Sequence, residues 1–406
     1  MNTYKASSRG SRRTFLQVGA AASAAVALRI MTEPMLAAAA QRQKLDFHPG
    51  GIMINANENP LGPCEASRRA IGEITPQGGR YSDWLTDDLV KVFADAEGLK
   101  AENVRVYPGS SGPLHYSVLA FTSPAKSYVT ADPGYEAGMH AAEFVGARVV
   151  KVPLTKTYGH DAKAMVAAAP DAGLIYVCTP NNPTGTLTPH ADIEWLVANK
   201  PKGAVVLVDE AYIHFSAAPS ALDLVKAGQD VIVLRTFSKI YGMAGIRCGF
   251  AIGRPDLLAK LNQHGGYSAM PITAVAAATA CLKDGQLVPA RKEVNTAIRQ
   301  GTFDWLSRQG YAYVPSESNC FMLETKRPAK EVIAGMAERN VYIGRPWPVW
   351  PTHVRITVGT SAEMAEFQSA FQKVMTNAVA TGYAPRRRKP RGADGQILPS
   401  TDGEYS

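Results

Sequence analysis

The sequence predicts an α/β protein, with a large domain built on a mostly parallel sheet between helices and a smaller α+β domain after it. Three observations predict this. Between residues 104 and 253, short Val- and Ile-rich runs alternate with helix-like stretches. Those runs are apolar almost without interruption, as strands buried on both faces are. Past about residue 285 the chain changes to charged helices and isolated strands. Strand–helix alternation ending in such a change describes a parallel α/β layer with an appended domain.

Residues 1–40 read as a targeting segment. "SRRTFLQ" leads into the apolar run 18–28, and a small-residue tract at 37–40 follows. A charged region, an apolar region and a cleavage tract in that order are how an export signal is built, with cleavage expected near 38–40. Arg12 and Arg13, with Phe15 and Leu16 behind them, resemble a twin-arginine signal. The resemblance implies the twin-arginine translocase as a partner and the periplasm as destination. The apolar run stops at Arg29, too short for a comfortable bilayer span.

Residues 41–75 show little regular pattern and read as an N-terminal arm. The large domain is expected over 76–284, with strands at "NVRVYP", "SYVTAD", "ARVVKVP", "GLIYVCT", "AVVLVDE", "VIVLRTF" and "RCGFAIG". Helical spans at 189–199 and 272–283 belong to it, the second closing the domain. The small domain, 285–383, together with the arm, begins with the charged helix "ARKEVNTAIRQGTFDWLSRQ". Strand-like "CFMLE", a helix near 331–339, strand-like "HVRITV" and a helix over 362–375 follow. Residues 384–406 lack apolar periodicity and read as a disordered basic tail.

The net charge of +8 looks like a nucleic-acid signal until it is located. Lys5, Arg9, Arg12, Arg13 and Arg29 face only Glu33 in residues 1–40, and five basic residues face three acidic ones in 384–406. The body is left close to neutral, and no nucleic-acid surface is implied. The five cysteines are an odd number, far apart, with no C-x-x-C pair. Neither a disulfide framework nor a metal site follows.

In open α/β sheets, ligands bind beyond the carboxyl ends of the strands. The unusual residues fall there. "GLIYVCT" runs into "PNNPTG" with Asn182; "AVVLV" ends at Asp209, with Tyr212 close behind; "VIVLRTF" ends at Ser238 and Lys239, with Arg247 eight positions on. "NVRVYP" ends at "GSSG", where Ser110 and Ser111 could present backbone N–H groups to a phosphate at a helix start. A carboxylate, an amide, a phenol, a lysine, an arginine and an anion-binding turn in one crevice suit a phosphorylated, electron-poor ring aldehyde. The lysine captures the aldehyde, the carboxylate keeps a ring nitrogen protonated, and the arginine holds the phosphate.

"NNPTG", "DEAY", "SKIYGMAGIR" and "VRITVGT", in that order, resemble the fold type I pyridoxal-phosphate aminotransferases. With "NANENPLGP" and "RYSD", the likeness is to the histidinol-phosphate aminotransferase branch, over roughly residues 50–375. The resemblance implies pyridoxal 5'-phosphate as cofactor and amino-acid and 2-oxo-acid substrates. It implies Lys239 as the Schiff-base lysine and proton shuttle, Asp209 on the pyridinium nitrogen, and Asn182 and Tyr212 on the ring 3'-oxygen. Tyr135 would stack on the ring, while Ser110, Ser111, Ser238 and Arg247 bind the phosphate. Tyr81 would join them from the second subunit of a homodimer. Arg355 would clamp the substrate carboxylate, with Asn57 lining the same pocket and Arg345, beside Trp347 and Trp350, shaping substrate choice. The fold also serves decarboxylases, lyases and oxidases, so those reactions stay open at this point. A phosphorylated biosynthetic intermediate is not expected outside the inner membrane, which favours a free amino acid or a secreted metabolite.

Overall fold

The computed structural model of the protein describes residues 30–40, 48, 50–265 and 269–380. The paired arginines, the apolar run 18–28 and the basic tail lie outside the described residues. The strands are β1 (Ile52–Ile54), β2 (Val104–Tyr107), β3 (Ser127–Asp132), β4 (Val149–Pro153), β5 (Ala172–Cys178) and β6 (Val205–Asp209), then β7 (Val231–Thr236) and β8 (Gly249–Gly253). The last three are β9 (Cys320–Glu324), β10 (Val341–Ile343) and β11 (His353–Thr357).

Seven strands form the main sheet in the order β2-β8-β7-β6-β5-β3-β4. Only β8 runs against its neighbours; the other pairings are parallel. Every residue of β5, β6 and β7 is buried, which is why these strands read as unbroken apolar runs. Their registers set Cys178 opposite Asp209 and Asp209 opposite Leu234. The parallel strands therefore end together along one edge, and the loops that follow share one crevice.

A second core gathers Phe321, Leu323, Val332, Met336, Ile356 and Phe367. It lies among the helices Leu287–Arg308, Ala329–Ala337 and Ser361–Ala380, the antiparallel pair β9–β11 and the parallel pair β1–β10. The helices and strands expected after residue 285 are present with ends shifted by a few residues; the last helix runs on to Ala380.

The arm is more regular than its sequence suggests. It contributes β1, which adds Ile52 beside Val341 and Ile54 beside Ile343, and a helix, Glu65–Ile74. Three residues are too few for a period to be read. The helix packs its small face on the Ala-rich helix Ile272–Lys283, where Ser67 Oγ donates to the Ala277 carbonyl at 2.9 Å. That face is defined by its partner rather than by its own composition. Among the described residues no helix is long and apolar enough to cross a membrane.

Candidate active site

Beyond the ends of β2, β5, β6 and β7 lies a cleft of about 270 Å³, lined by Ser110, Ser111, Tyr135, Asn182, Asp209, Tyr212, Ser238, Lys239 and Arg247. Nine residues expected from the sequence thus share one cavity. "DEAY" shows how the strand end sorts them. Asp209 faces the cleft, whereas Glu210 turns behind the sheet, where its carboxylate accepts from Arg235 Nε at 2.6 Å and from the Ala221 N–H at 2.7 Å.

Asp209 is buried at the floor and accepts from Tyr176 Oη at 2.9 Å and from the Ala211 N–H at 3.1 Å. Among the described residues no ion pair holds it. Burial lifts its carboxyl to about 6, against those hydrogen bonds and the attraction of Lys239. A buried carboxylate in that condition gains from any cation set against it, such as a protonated ring nitrogen. Lys239 donates to the Ala56 carbonyl at 3.2 Å and lies 5.5 Å from the Tyr212 ring. Burial lowers its amine to about 8, with Glu33 opposing and Arg355 adding to the drop. A larger fraction than in an exposed lysine, about a tenth at pH 7, is then neutral and nucleophilic.

At one end of the cleft, Arg247 Nη1 donates to Ser238 Oγ at 3.1 Å and to the Ala244 carbonyl at 2.8 Å. Arg247 itself sits at φ 71°, and Gly109 opposite it at φ 86°. A Cβ on Gly109 would collide with the Arg247 guanidinium, so both conformation and space require glycine there. Next to them Ser111 opens the helix Ser111–Phe121. An arginine, three hydroxyls and a helix N-terminus together make an anion cradle.

At the other end Arg355, on β11, is fully buried. Its Nη1 donates to Asn182 Oδ1 at 2.8 Å, its Nη2 to the Asn55 carbonyl, and among the described residues its Nε has no hydrogen-bond partner. Asn57, at φ 55°, donates to Tyr212 Oη at 3.0 Å and accepts from Thr357 Oγ1 at 3.0 Å. That leaves the Tyr212 hydroxyl proton free to point elsewhere. Arg345 bonds both oxygens of Glu136 and stacks 4.0 Å over Trp347, which also lies 5.2 Å from Arg355. Trp347 is fixed by its N–H to the Gly134 carbonyl at 3.1 Å.

The structure does not bring Tyr81 to this cleft. It is 90% exposed, just before the helix Asp83–Glu97. Three residues that matter here escaped the sequence reading. Tyr176 lies inside a strand, two residues before its end. Glu136 directly follows Tyr135, and the spacing to Tyr135 was the only available signal. Glu33, within the expected targeting segment, enters the cleft with Thr32 and Pro34.

The chain matches the profile for Aminotransferase class I and II over residues 49–371. It belongs to that family. The aminotransferase is 33% identical to the histidinol-phosphate aminotransferase of Moorella thermoacetica over 331 residues, 80% of this chain and 85% of that one. It is 34% identical to the aromatic amino acid aminotransferase of Rhodococcus jostii over 339 residues, 83% and 92% of the two chains. Among solved structures, it superposes on the histidinol-phosphate aminotransferase of Sinorhizobium meliloti in complex with pyridoxal-5'-phosphate with a TM-score of 0.75. That match has 25% identity and covers 87% of this aminotransferase and 96% of the other chain.

Proposed function

We propose that this aminotransferase is an exported, homodimeric enzyme whose amino donors carry flat aromatic side chains. Its cofactor is pyridoxal phosphate, which when bound supplies an aldehyde carbon and an electron-withdrawing ring next to the substrate Cα. The observation that carries the reading is the convergence of Lys239, Asp209 and Arg247 on one cleft, with Arg355 buried beside it against the cleft residues Glu33 and Asn182.

Arg247, Ser238, Ser110, Ser111 and the helix end behind them would hold the phosphate. Asp209 would keep a proton on the ring nitrogen through its charge, with Tyr176 orienting that carboxylate. Asn182 and Tyr212 would donate to the ring hydroxyl oxygen, and Tyr135 would cover one ring face. Lys239, whose amine lines the cleft, would be the group that bonds the aldehyde carbon and that holds or gives the proton at the substrate Cα. Arg355 binds the substrate carboxylate as a planar fork, with Asn57 supporting that wall.

Donor choice follows from Arg345. Its two Nη atoms are taken by Glu136 and its face is stacked on Trp347, which leaves Nε as its one edge toward a carboxylate and sets an aromatic wall beside it. Trp350 extends this wall, edge-on to Tyr158 at 5.7 Å. The names of the Moorella and Rhodococcus relatives agree with ring-bearing substrates. Export rests on Arg12 and Arg13 and the segment after them, and homodimerisation on the exposed Tyr81, available to a neighbouring subunit's cleft.

The test uses purified residues 41–406 loaded with pyridoxal phosphate and no oxo acid. Phenylalanine, tyrosine, aspartate and histidinol phosphate are added in turn while the cofactor's visible absorbance is followed. Aromatic amino acids should convert the bound aldehyde to its amine form, and a 2-oxo acid should restore it. Gas release or oxygen uptake without recovery would mean a decarboxylase or oxidase instead.

A further inference from the structure

The substrate end of the cleft holds a carboxylate that belongs to the chain itself. Glu33 Oε1 accepts from Arg355 Nη2 at 2.9 Å and from Arg345 Nε at 3.1 Å. Its other oxygen faces Asn182 Nδ2 at 3.4 Å. Glu33 is only 8% exposed. Burial works against its charge, but Arg355 and Arg345 outweigh it and hold the carboxyl down at about 2.

The contacts on either side are specific too. The Met31 N–H donates to His115 Nε2 at 3.0 Å, while His115 Nδ1 lies 2.7 Å from the Ser111 carbonyl. Together these bonds assign the tautomer with its proton on Nδ1. Burial, which lowers the His115 pKa, keeps that ring neutral. Thr32 and Pro34 line the cleft beside Glu33, and Leu36, 5% exposed, joins the core of the large domain. The Leu36 N–H closes the first helical turn on the Thr32 carbonyl at 2.9 Å.

We propose that residues 30–37 are a tethered competitor for the substrate site, with Glu33 taking the place of the substrate's carboxylate, so that the uncut chain is latent toward amino acids. The inference rests on the reading of Arg355 as the carboxylate clamp. Glu33 holds Arg355 Nη2 from inside the cleft, so an amino acid's carboxylate cannot take the guanidinium fork while Glu33 is there. The small-residue tract at 37–40, where cleavage is expected, follows directly. While joined to the body, the segment acts at an effective concentration on the order of millimolar. Once cut, it becomes a dilute free peptide and the site opens. Release has a second effect. Glu33 favours the charged form of the Lys239 amine, so its departure lowers the pH at which that amine becomes nucleophilic.

The experiment compares three holoenzymes loaded with pyridoxal phosphate: residues 1–406, residues 41–406, and residues 1–406 with Glu33→Gln. For each, kcat and KM for one amino donor are measured, and the pH dependence of aldehyde capture is measured on the cofactor-free proteins. The full chain should show a KM about tenfold or more above that of 41–406 with similar kcat. Glu33→Gln should remove most of the difference, and the capture profile should move to lower pH when Glu33 is lost. Equal KM for the full and shortened chains would overturn the proposal. A full chain that stays blocked after Glu33→Gln would overturn the role of the carboxylate. If 41–406 binds the cofactor but turns over no donor, it is the transaminase reading that falls.

Discussion

Asp209 shows how one buried carboxylate trades stability for chemistry. Its folded pKa is about 6 against 3.8 for the free group. Its favourable contribution is therefore present below about pH 4 and is lost as the pH rises through about 6. At pH 7 the ionised group costs the cofactor-free protein at most roughly 3 kcal/mol. Asp209→Asn should accordingly raise the melting temperature of cofactor-free protein at pH 7 and change it little at pH 4. The same variant should lose on the order of a hundredfold or more in kcat, because the charge proposed to face the ring nitrogen would be gone. Arg355→Lys keeps the charge but loses the fork. KM for the donor should rise by about tenfold or more with a smaller change in kcat, measured in steady state on residues 41–406. Arg345→Ala should narrow the preference for aromatic over acidic donors by loosening Trp347; an unchanged ratio of kcat/KM would remove Arg345 from substrate choice.

At the scale of elements, the anion cradle depends on one small residue. Gly109→Ala places a Cβ against Arg247 and forces an alanine to a positive φ. Cofactor affinity, read by equilibrium dialysis, should fall by about tenfold or more while the far-ultraviolet spectrum stays native. The strand ends explain what could be read beforehand. Lys239, Asp209 and Asn182 are each at or within four residues of the end of a buried apolar strand, so position along the chain already gave position in the crevice; Arg247 was legible only from the motif around it. Glu136, Tyr176 and Glu33 act through contacts reaching 209, 33 and 312 residues away, and no local pattern records such pairings. The helix Glu65–Ile74 was missed for a related reason, since its buried face exists only against Ile272–Lys283.

For the whole molecule, the test of assembly is complementation. Tyr81→Ala and Lys239→Ala should each be nearly inactive alone. Co-expressed, they should regain activity if the proposed dimer forms, because a mixed dimer would then unite Lys239 of one subunit with Tyr81 of the other at one of its two sites. Failure to regain any activity, with mixed dimers verified by mass, would exclude sharing of Tyr81. Arg12→Lys with Arg13→Lys should hold the protein in the cytoplasm, as seen by cell fractionation. Trp347 has one more consequence. It is one of five tryptophans, almost wholly buried, and it lies beneath two guanidinium groups whose charge any bound carboxylate offsets. The indole is thus a built-in optical probe. Its emission can follow the arrival and departure of ligands in real time, without a label and before any bond is made or broken.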